Sequence, residues 1–299
     1  QPEYVSSAGD STIGVFCHEL GHVFGLPDSY DTTYDTNGVG DWSLMSSGSW
    51  GSDGKGTNPA PLLAWERYRI GGSSWVHLTE IIPDVYFKHK DRGLPGFFIP
   101  VVLFLLSAFP FVIWKTALLR SAAVPVTGII LSLALSCNVE EAVTVISGSV
   151  NDMESGHKAY RIPLPGQQYL ILEGKTAAGS SGWYVPGTGV LVTHIHDGII
   201  SKYISANEVN AGDSRVHGIN IVEAKTASEP GRLWTVGSYN GSADDLFCSE
   251  NKSSLTADTT PGTEYYTSES VNSKTGNSGV SITAFSSKAA WPITFHAEY

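Results

Sequence analysis

The spacing of apolar residues predicts helices near the start of the chain. Apolar residues recur on one face between Ile13 and Phe24, as in a helix that buries this face in a protein core. Ser11 or Thr12 can cap its first turn. A second, short helix is predicted over residues 61–69, where a proline begins it and the pair Gly71-Gly72 ends it.

Strands are predicted in the second half of the chain, where short runs of alternating apolar and polar residues replace the helical spacing. Turn residues separate these runs at the spacing of an antiparallel sheet or sandwich. The predicted strands are 144–146, 159–162, 169–172, 189–195, 218–222, 280–283 and 293–295. The pattern therefore predicts an α+β protein with an antiparallel β-rich region at its C-terminal side.

Between these parts lies an insertion, residues 84–141, whose composition differs from both. Residues 93–114 carry no charge over a length that can cross a bilayer, and residues 121–139 form a second uncharged apolar stretch. We consider three interpretations of this insertion: translated non-coding sequence, a membrane hairpin, or a buried apolar insertion. Removing it would join residues 79–81 to residues 143–145, where a short hairpin is then expected.

The insertion divides the chain into three regions. Residues 1–83 hold the candidate chemistry, residues 84–141 are the apolar insertion, and residues 142–299 are the β-rich region. A membrane is expected as a partner only if the apolar segment 93–139 is a genuine part of the protein.

Composition and charge exclude some classes of function. The chain of 299 residues has a formal net charge of -11, which disfavours nucleic acid as a partner because phosphate contacts require a basic surface. Only 16% of the residues are charged and 32 are glycine, a balance common in exported proteins. The three cysteines give no disulfide framework. Cys17 can pair with Cys248, pair elsewhere, or remain a thiol.

The strongest chemical signal is the stretch His18-Glu-Leu-Gly-His22. On a helix, His18 and His22 project from one face, as two nitrogens about 2 Å from one zinc ion require. Glu19 lies beside them, where it can polarise a zinc-bound water as a general base. The alternative interpretation is an amphipathic helix with two solvent-facing histidines.

Three residues extend this motif beyond the two histidines. Gly25 allows the chain to leave the helix in a left-handed turn, and Asp28 can then fold back as a third zinc ligand. Met45 lies in a turn of small residues, where metzincin-type peptidases place a methionine beneath the metal. An ordinary core methionine is the alternative for Met45.

Other candidate residues surround this motif. Either Tyr30 or Tyr34 is a candidate donor to the oxyanion of a peptide-hydrolysis reaction. The loop after the helix offers carboxylates for calcium, with a solvated polar loop as the alternative; these are Asp31, Asp35, Asp41 and Asp53. His194 and His196 share one strand face, which suits a metal or proton-relay site as well as simple packing.

Several segments resemble the immune-inhibitor-A-type secreted metalloproteases, relatives of gametolysin. The segments that carry the resemblance are 18–31 (HELGHVFGLPDSYD), 40–50 (GDWSLMSSGSW), 61–66 (PLLAWE), 189–195, 219–224 and 256–261. The resemblance implies a zinc-dependent endopeptidase that cleaves proteins or peptides through a zinc-activated water. It also implies export with a signal and propeptide, frequent calcium stabilisation, and the C-terminal part of a metzincin-like zincin domain before the β-rich region.

The resemblance assigns the site residues in the same way as the motif. It implies His18 and His22 as zinc ligands, Asp28 as the third ligand and Glu19 as the general base. The chain begins seventeen residues before His18, so we expect a fragment of a longer precursor. A catalytically incompetent fragment and a membrane-anchored protein with a zinc site are the alternative functions.

Overall fold

The computed structural model describes residues 13–72, 77–80, 146–150, 158–177, 183–227, 231–269 and 274–298. The helices are α1 (Ile13–Val23), α2 (Ala64–Gly71) and α3 (Asp197–Tyr203). The strands are β1 (His77–Glu80), β2 (Ile146–Val150), β3 (Lys158–Leu164), β4 (Gln168–Lys175), β5 (Gly189–His196), β6 (Ile219–Ile221), β7 (Tyr265–Tyr266), β8 (Lys274–Gly276), β9 (Ser281–Thr283) and β10 (Ile293–Glu298). These elements belong to one compact unit that combines the chain up to residue 82 with the chain from residue 145 onward.

The central feature of this unit is a five-stranded sheet in the order β1-β3-β4-β5-β6. Strands β3 to β6 are antiparallel, whereas β1 pairs with β3 in parallel. A three-stranded antiparallel sheet has the order β2-β10-β9, and β7 pairs with β8. The predicted α+β class is therefore confirmed.

The five-stranded sheet is covered on both faces, which explains why every residue of β4 and β5 is buried. Successive side chains of a strand point to opposite faces. Leu172 and Val192 pack on one side with residues of β9 and β10. Ile171 and Leu191 pack on the other with a cluster that includes Trp42 from the N-terminal part of the chain. Each such side chain contributes about 1.5–3 kcal/mol on burial, so this second cluster fixes the N-terminal part against the sheet.

The hairpin of residues 79–81 with residues 143–145 is expected only for a chain without the insertion and stays a prediction. In the present chain the strands next to these positions pair elsewhere. β1 pairs with β3, while β2 pairs with β10 in the other sheet. The local apolar pattern carried no information about these partners, because parallel pairing joins segments far apart in the chain. Residues 143–145 themselves lie outside the described residues.

The prediction that α1 buries its apolar face was wrong for the described part of the chain. Phe16, Leu20 and Val23 are 57%, 50% and 78% exposed, and the buried residues of the helix are Gly14 and Gly21. The helix therefore packs through its glycine side onto the loop that follows it. Its large apolar side chains face away from this contact.

The apolar insertion and the predicted cap of α1 lie outside the described residues. Among the helices that are described, none combines the length and the hydropathy needed to cross a membrane. Cys17 and Cys248 are both thiols, so the disulfide considered between them is not formed.

Candidate metal centre

The end of α1 turns the chain back toward the two histidines. Gly25 has φ of 85°, the left-handed conformation that glycine adopts without strain. The N–H of Gly25 donates to the carbonyl of His22 at 2.9 Å, and the N–H of Leu26 donates to the carbonyl of Gly21 at 3.0 Å. These two bonds form a Schellman motif, which satisfies the last helical carbonyls. Asp28 follows three residues later and lies under the helix.

The structure brings the three predicted ligands together at one point. Asp28 Oδ1 lies 3.0 Å from His18 Nε2 and 3.3 Å from His22 Nε2. Donors held about 2.0–2.1 Å from a tetrahedral zinc ion lie roughly 3.3 Å apart. Within the described part of the chain, these residues are the one group of three or more His, Cys, Asp or Glu side chains with metal-ligand spacing.

Backbone carbonyls fix the orientation of both imidazoles. His18 Nδ1 donates to the carbonyl of Leu44 at 2.8 Å, and His22 Nδ1 donates to the carbonyl of Leu26 at 2.9 Å. A carbonyl only accepts hydrogen bonds, so each Nδ1 carries a hydrogen. The Nε2 atoms, which face Asp28, are then free to offer a lone pair to a metal ion.

The hydrogen bonding of the Asp28 carboxylate indicates whether a cation fits this site. Its Oδ2 accepts from Asn207, but its buried Oδ1 has no hydrogen-bond donor as long as both imidazoles are neutral and carry their hydrogen on Nδ1. An unsatisfied buried carboxylate oxygen is costly and rare in folded proteins. With neutral imidazoles, three lone-pair donors face one another here, and a divalent cation between them satisfies all three. The donor set of two nitrogens and one carboxylate oxygen suits zinc.

A proton competes with a metal ion for the same position. Burial alone would raise the pKa of Asp28, but hydrogen bonds to His18 and His22 outweigh it and hold that pKa well below its usual range. The hydrogen bond to Asp28 raises the pKa of His22 to about 9, against the opposing effect of burial. In the metal-free protein at neutral pH, His22 is therefore protonated and paired with Asp28.

Met45 forms an apolar floor under α1. Its side chain is fully buried, and a Cβ atom added to Gly21 would overlap with Met45 Sδ. The carbonyl of Met45 accepts the N–H of Ser29, the residue after Asp28, at 2.7 Å. Gly21, which lies between the two histidines of the motif and was not predicted to have a role, is thus the position where the helix and the methionine meet.

Replacing Gly21 by alanine is expected to destabilise the protein by about 1–3 kcal/mol, because the added methyl group overpacks a closed contact. The gain in helix propensity of about 1 kcal/mol acts in the opposite direction. Thermal unfolding of the metal-free variant measures the difference. Adding Met45→Ala removes the overlap, so the double variant should lose less stability than the sum of the two single variants.

Glu66 of α2 holds the loop segments that carry the site, although no motif in the sequence marks it. Its buried carboxylate accepts from Ser29 Oγ at 2.7 Å and lies 2.7 and 2.8 Å from Ser43 Oγ. Ser43 Oγ in turn accepts the N–H of Met45 at 2.9 Å. Burial raises the pKa of Glu66, although these hydrogen bonds oppose the rise. The one local signal was its place in the first turn of a helix, where Glu66 also accepts from the N–H of Leu63 at 2.7 Å.

An open cleft of about 300 Å³ lies beside the two residues at the start of the motif, His18 and Glu19. Its other walls combine hydroxyl groups with apolar side chains. They include Val15, Tyr30, Tyr34, Ser46, Ser47, Ser49, Trp50 and Val236. The cleft therefore places a carboxylate and the candidate metal position where a bound molecule can reach them.

Tyr30 lies closer to the ligands than Tyr34. The Tyr30 ring stacks on His18 with centroids 6.3 Å apart, and Tyr34 stacks on Tyr30 at 6.1 Å. Burial, together with the charge of Asp28, raises the pKa of Tyr30. Its hydroxyl thus stays protonated at neutral pH and can donate a hydrogen bond, whereas Tyr34 is 71% exposed.

The carboxylates considered for calcium are largely engaged by protein donors. Asp31 accepts the N–H groups of Thr36 and Gly212, each at 2.9 Å, and Asp53 accepts that of Lys55 at 2.8 Å. Asp35 accepts the Thr33 hydroxyl at 2.8 Å. Burial raises the pKa of Asp41 to about 6. Calcium binding by this loop stays a prediction.

His194 and His196 lie on β5 with separate partners. His194 Nε2 is 3.0 Å from Gln168 Oε1, and burial lowers the pKa of His194 well below its ordinary value. His196 caps α3 by accepting the N–H of Ile199 at 3.4 Å. Neither histidine belongs to the cluster around Asp28.

A helix with two inward-facing histidines and an adjacent glutamate, next to an open cleft, is the arrangement of a metallopeptidase catalytic centre. Comparison with known proteins gives the same class. Residues 2–76 match the family described as immune inhibitor A peptidase M6, catalytic domain. The resemblance to immune-inhibitor-A-type peptidases is therefore confirmed over this segment.

Individual relatives support this assignment over a similar length. The pre-pro-metalloprotease PrtV of Vibrio cholerae serotype O1 (strain El Tor Inaba N16961) is 40% identical over 84 residues, which are 26% of this chain and 9% of PrtV. Immune inhibitor A of Bacillus thuringiensis subsp. alesti is 34% identical over 97 residues, which are 31% of this chain and 14% of that relative. No solved structure matches the chain significantly. The similarity thus spans only a small part of these relatives.

Proposed function

We propose that this chain carries the catalytic site of a zinc-dependent endopeptidase, with His18, His22 and Asp28 as the zinc ligands. The observation that carries the proposal is the convergence of the buried Asp28 Oδ1 with two imidazole nitrogens, at 3.0 and 3.3 Å, in one group with metal-ligand spacing. The family match over residues 2–76 supports it independently. The activity of the whole protein belongs to the proposal, since the aligned segment is 9% to 14% of the relatives.

The mechanism assigns the proton transfers to Glu19. When bound, zinc supplies a Lewis acid that polarises the scissile carbonyl and makes water a stronger nucleophile at neutral pH. Glu19, next to the ligand His18 and lining the cleft, accepts the proton of the attacking water and returns it to the leaving amine. We infer that Tyr30, which lines the cleft and stacks on His18, donates a hydrogen bond to the oxyanion.

The cleft supports a peptide as the substrate. Its hydroxyl groups, such as that of the half-buried Ser47, can hydrogen-bond to a peptide backbone, and Trp50 and Val236 offer apolar contacts to side chains. Both Trp50 and Val236 are partly exposed, at 41% and 58%. We infer that proteins or peptides are the substrates.

The finer assignments of fold and location are part of the same proposal. Met45, fully buried beneath α1, supports a metzincin-like arrangement of the site. The relative PrtV is named a pre-pro-metalloprotease, which supports export of the present protein. The low proportion of charged residues, 16%, agrees with an extracellular location.

The proposal is tested by measuring peptide hydrolysis before metal removal, after metal removal and after zinc has been added back. Purified protein should lose hydrolysis on treatment with a chelator and regain it on addition of zinc, with the unfolding temperature recorded at each step. Hydrolysis that persists in metal-free protein, or that zinc cannot restore to a protein that is still folded, would contradict the proposal.

Zinc affinity is expected to rise with pH. The folded-state pKa of His22 is raised from 6.5 to about 9, so its ion pair with Asp28 stabilises the metal-free protein fully below pH 6.5 and is lost as pH rises through 9. Zinc must displace this proton, so the apparent affinity should rise about tenfold per pH unit between pH 7 and 9 and then level off.

The proton can be counted by calorimetric titration with zinc in buffers of different ionisation enthalpy. About one proton should be released per zinc ion at pH 7.5. In Asp28→Asn the pKa of His22 should return toward 6.5, and the slope above pH 7 should flatten. A parent protein whose zinc affinity does not change between pH 7 and 9 would contradict the raised pKa of His22 and its ion pair with Asp28.

A further inference from the structure

Asn207, in the second half of the chain, contacts Asp28 from outside the metal position. It follows α3 and a short 3-10 turn (Ile204–Ala206), and its backbone has φ of 58° and ψ of 37°. This left-handed conformation favours asparagine and glycine over other residues. The local turn thus presents the side chain of Asn207 to a residue 179 positions earlier in the chain.

The contact between the two residues is reciprocal. The N–H of Asp28 donates to Asn207 Oδ1 at 2.7 Å, and Asn207 Nδ2 donates to Asp28 Oδ2 at 2.5 Å. Both polar ends of the amide are therefore used, and its orientation follows from the two partners. A side chain with an acceptor alone or a donor alone cannot make both bonds.

This contact decides which carboxylate oxygen faces the metal position. Because Oδ2 is held by the amide of Asn207, Oδ1 is the oxygen that lies 3.0 Å from His18 Nε2 and 3.3 Å from His22 Nε2. Free rotation of the carboxylate would otherwise let either oxygen, or both, turn toward a cation. The carboxylate therefore presents one oxygen, Oδ1, to the metal position.

Neighbouring residues hold the Asn207 segment in register with the ligand loop. Asn210 Nδ2 donates to the carbonyl of Ser29 at 2.8 Å, and the N–H of Gly212 donates to Asp31 Oδ1 at 2.9 Å. Three consecutive contacts thus align the segment 207–212 with the segment 28–31. The position of Asp28 depends on the fold of the β-rich region as well as on its own loop.

We propose that Asn207 is a positioning residue that holds Asp28 for coordination of the metal through Oδ1 alone. The inference rests on the proposed zinc site and extends it to a residue of the β-rich region. Partners of metal ligands in other proteins have comparable roles, and their removal weakens metal binding by about 10- to 100-fold.

The test is a double-mutant cycle between Asn207 and Asp28, measured by zinc competition with a chromophoric chelator. Asn207→Gly keeps the left-handed backbone and removes only the side chain. It should weaken zinc binding by about 10- to 100-fold in the parent protein, yet by less than about twofold in the Asp28→Ala background. The visible absorption of bound Co²⁺ should also change in Asn207→Gly, because one ligand is reoriented.

Thermal unfolding of the metal-free variants serves as the fold control. If Asn207→Gly does not unfold cooperatively, Asn207→Ser replaces it, since serine adds no charge and its side chain ends one bond short of the two atoms that contact Asp28.

Two results would overturn the inference, and they separate it from the proposed function. Equal zinc affinity of the parent and a folded Asn207 variant, or equal losses with and without Asp28, would remove the role of Asn207 and leave the zinc site standing. A parent protein that binds no zinc would remove both.

Discussion

Glu19→Gln is expected to lower kcat for peptide hydrolysis by about 10²- to 10⁴-fold, the usual contribution of a general acid–base group. Glutamine keeps the size of the side chain but cannot accept the proton of the attacking water. Glu19 is not one of the three donors that surround the metal position, so zinc should bind to the variant with parent affinity. Initial rates at saturating peptide and zinc titrations on the same preparation give both quantities.

The control for this variant is Glu269→Gln, which makes the same chemical change at an exposed carboxylate paired with Lys202. It should hydrolyse peptide at the parent rate. Parent-level hydrolysis by Glu19→Gln would end the assignment of Glu19 as the base. Loss of zinc together with loss of activity would instead place Glu19 among the groups that build the site.

Glu66→Gln is expected to reduce both stability and zinc affinity. The Glu66 carboxylate joins Ser29, Ser43 and the first turn of α2 through buried hydrogen bonds. Glutamine replaces one acceptor oxygen by an NH₂ group, so that an N–H donor faces the hydroxyl or N–H donors that Glu66 accepts from. The free energy of unfolding should fall by about 2–4 kcal/mol, and zinc affinity by about 10- to 100-fold, because the loops that carry Asp28 and Met45 lose their common anchor.

Glu173→Gln provides a matched comparison for the second prediction. Glu173 is buried nearby on β4, where it pairs with Arg67 and Lys175 at 3.2 and 3.1 Å. Its loss should cost about 3–5 kcal/mol of stability, because two buried cations lose their partner. Its described hydrogen bonds go to Ala64 and Arg67 of α2 and to Lys175 rather than to the loops that carry Asp28 and Met45, so zinc affinity of the folded protein should change less than about threefold. Equal zinc affinities in both variants would contradict the anchoring role of Glu66.

The features of the site that could be predicted from sequence are those set by local geometry. The spacing of His18 and His22 fixes their common face on a helix, and Gly25 marks the turn after it. These features, together with Asp28, lie within eleven consecutive residues, so few conformations of the chain satisfy all of them. The strands of the β-rich region were likewise found near their predicted positions because alternation is a local pattern.

The supports of the site could not be predicted because they come from distant parts of the chain. Asn207 meets Asp28 across 179 positions, and Glu66 meets Ser29 across 37. Neither contact leaves a periodic pattern in the sequence. The parallel pairing of β1 with β3 was missed for the same reason. The burial of the apolar face of α1 was predicted wrongly for a different reason. Apolar periodicity identifies a helix but not the residues that would cover its apolar face.

The central claim is that His18, His22 and Asp28 hold one zinc ion, and the most direct measurement is the zinc content of the purified chain. Elemental analysis after dialysis against metal-free buffer should give one zinc per chain for the parent protein. His296→Ala, which changes a histidine at an exposed position of β10, should keep this ratio, and His22→Ala should lose it. A ratio near zero in the folded parent protein, or one that survives in His22→Ala, would contradict the account.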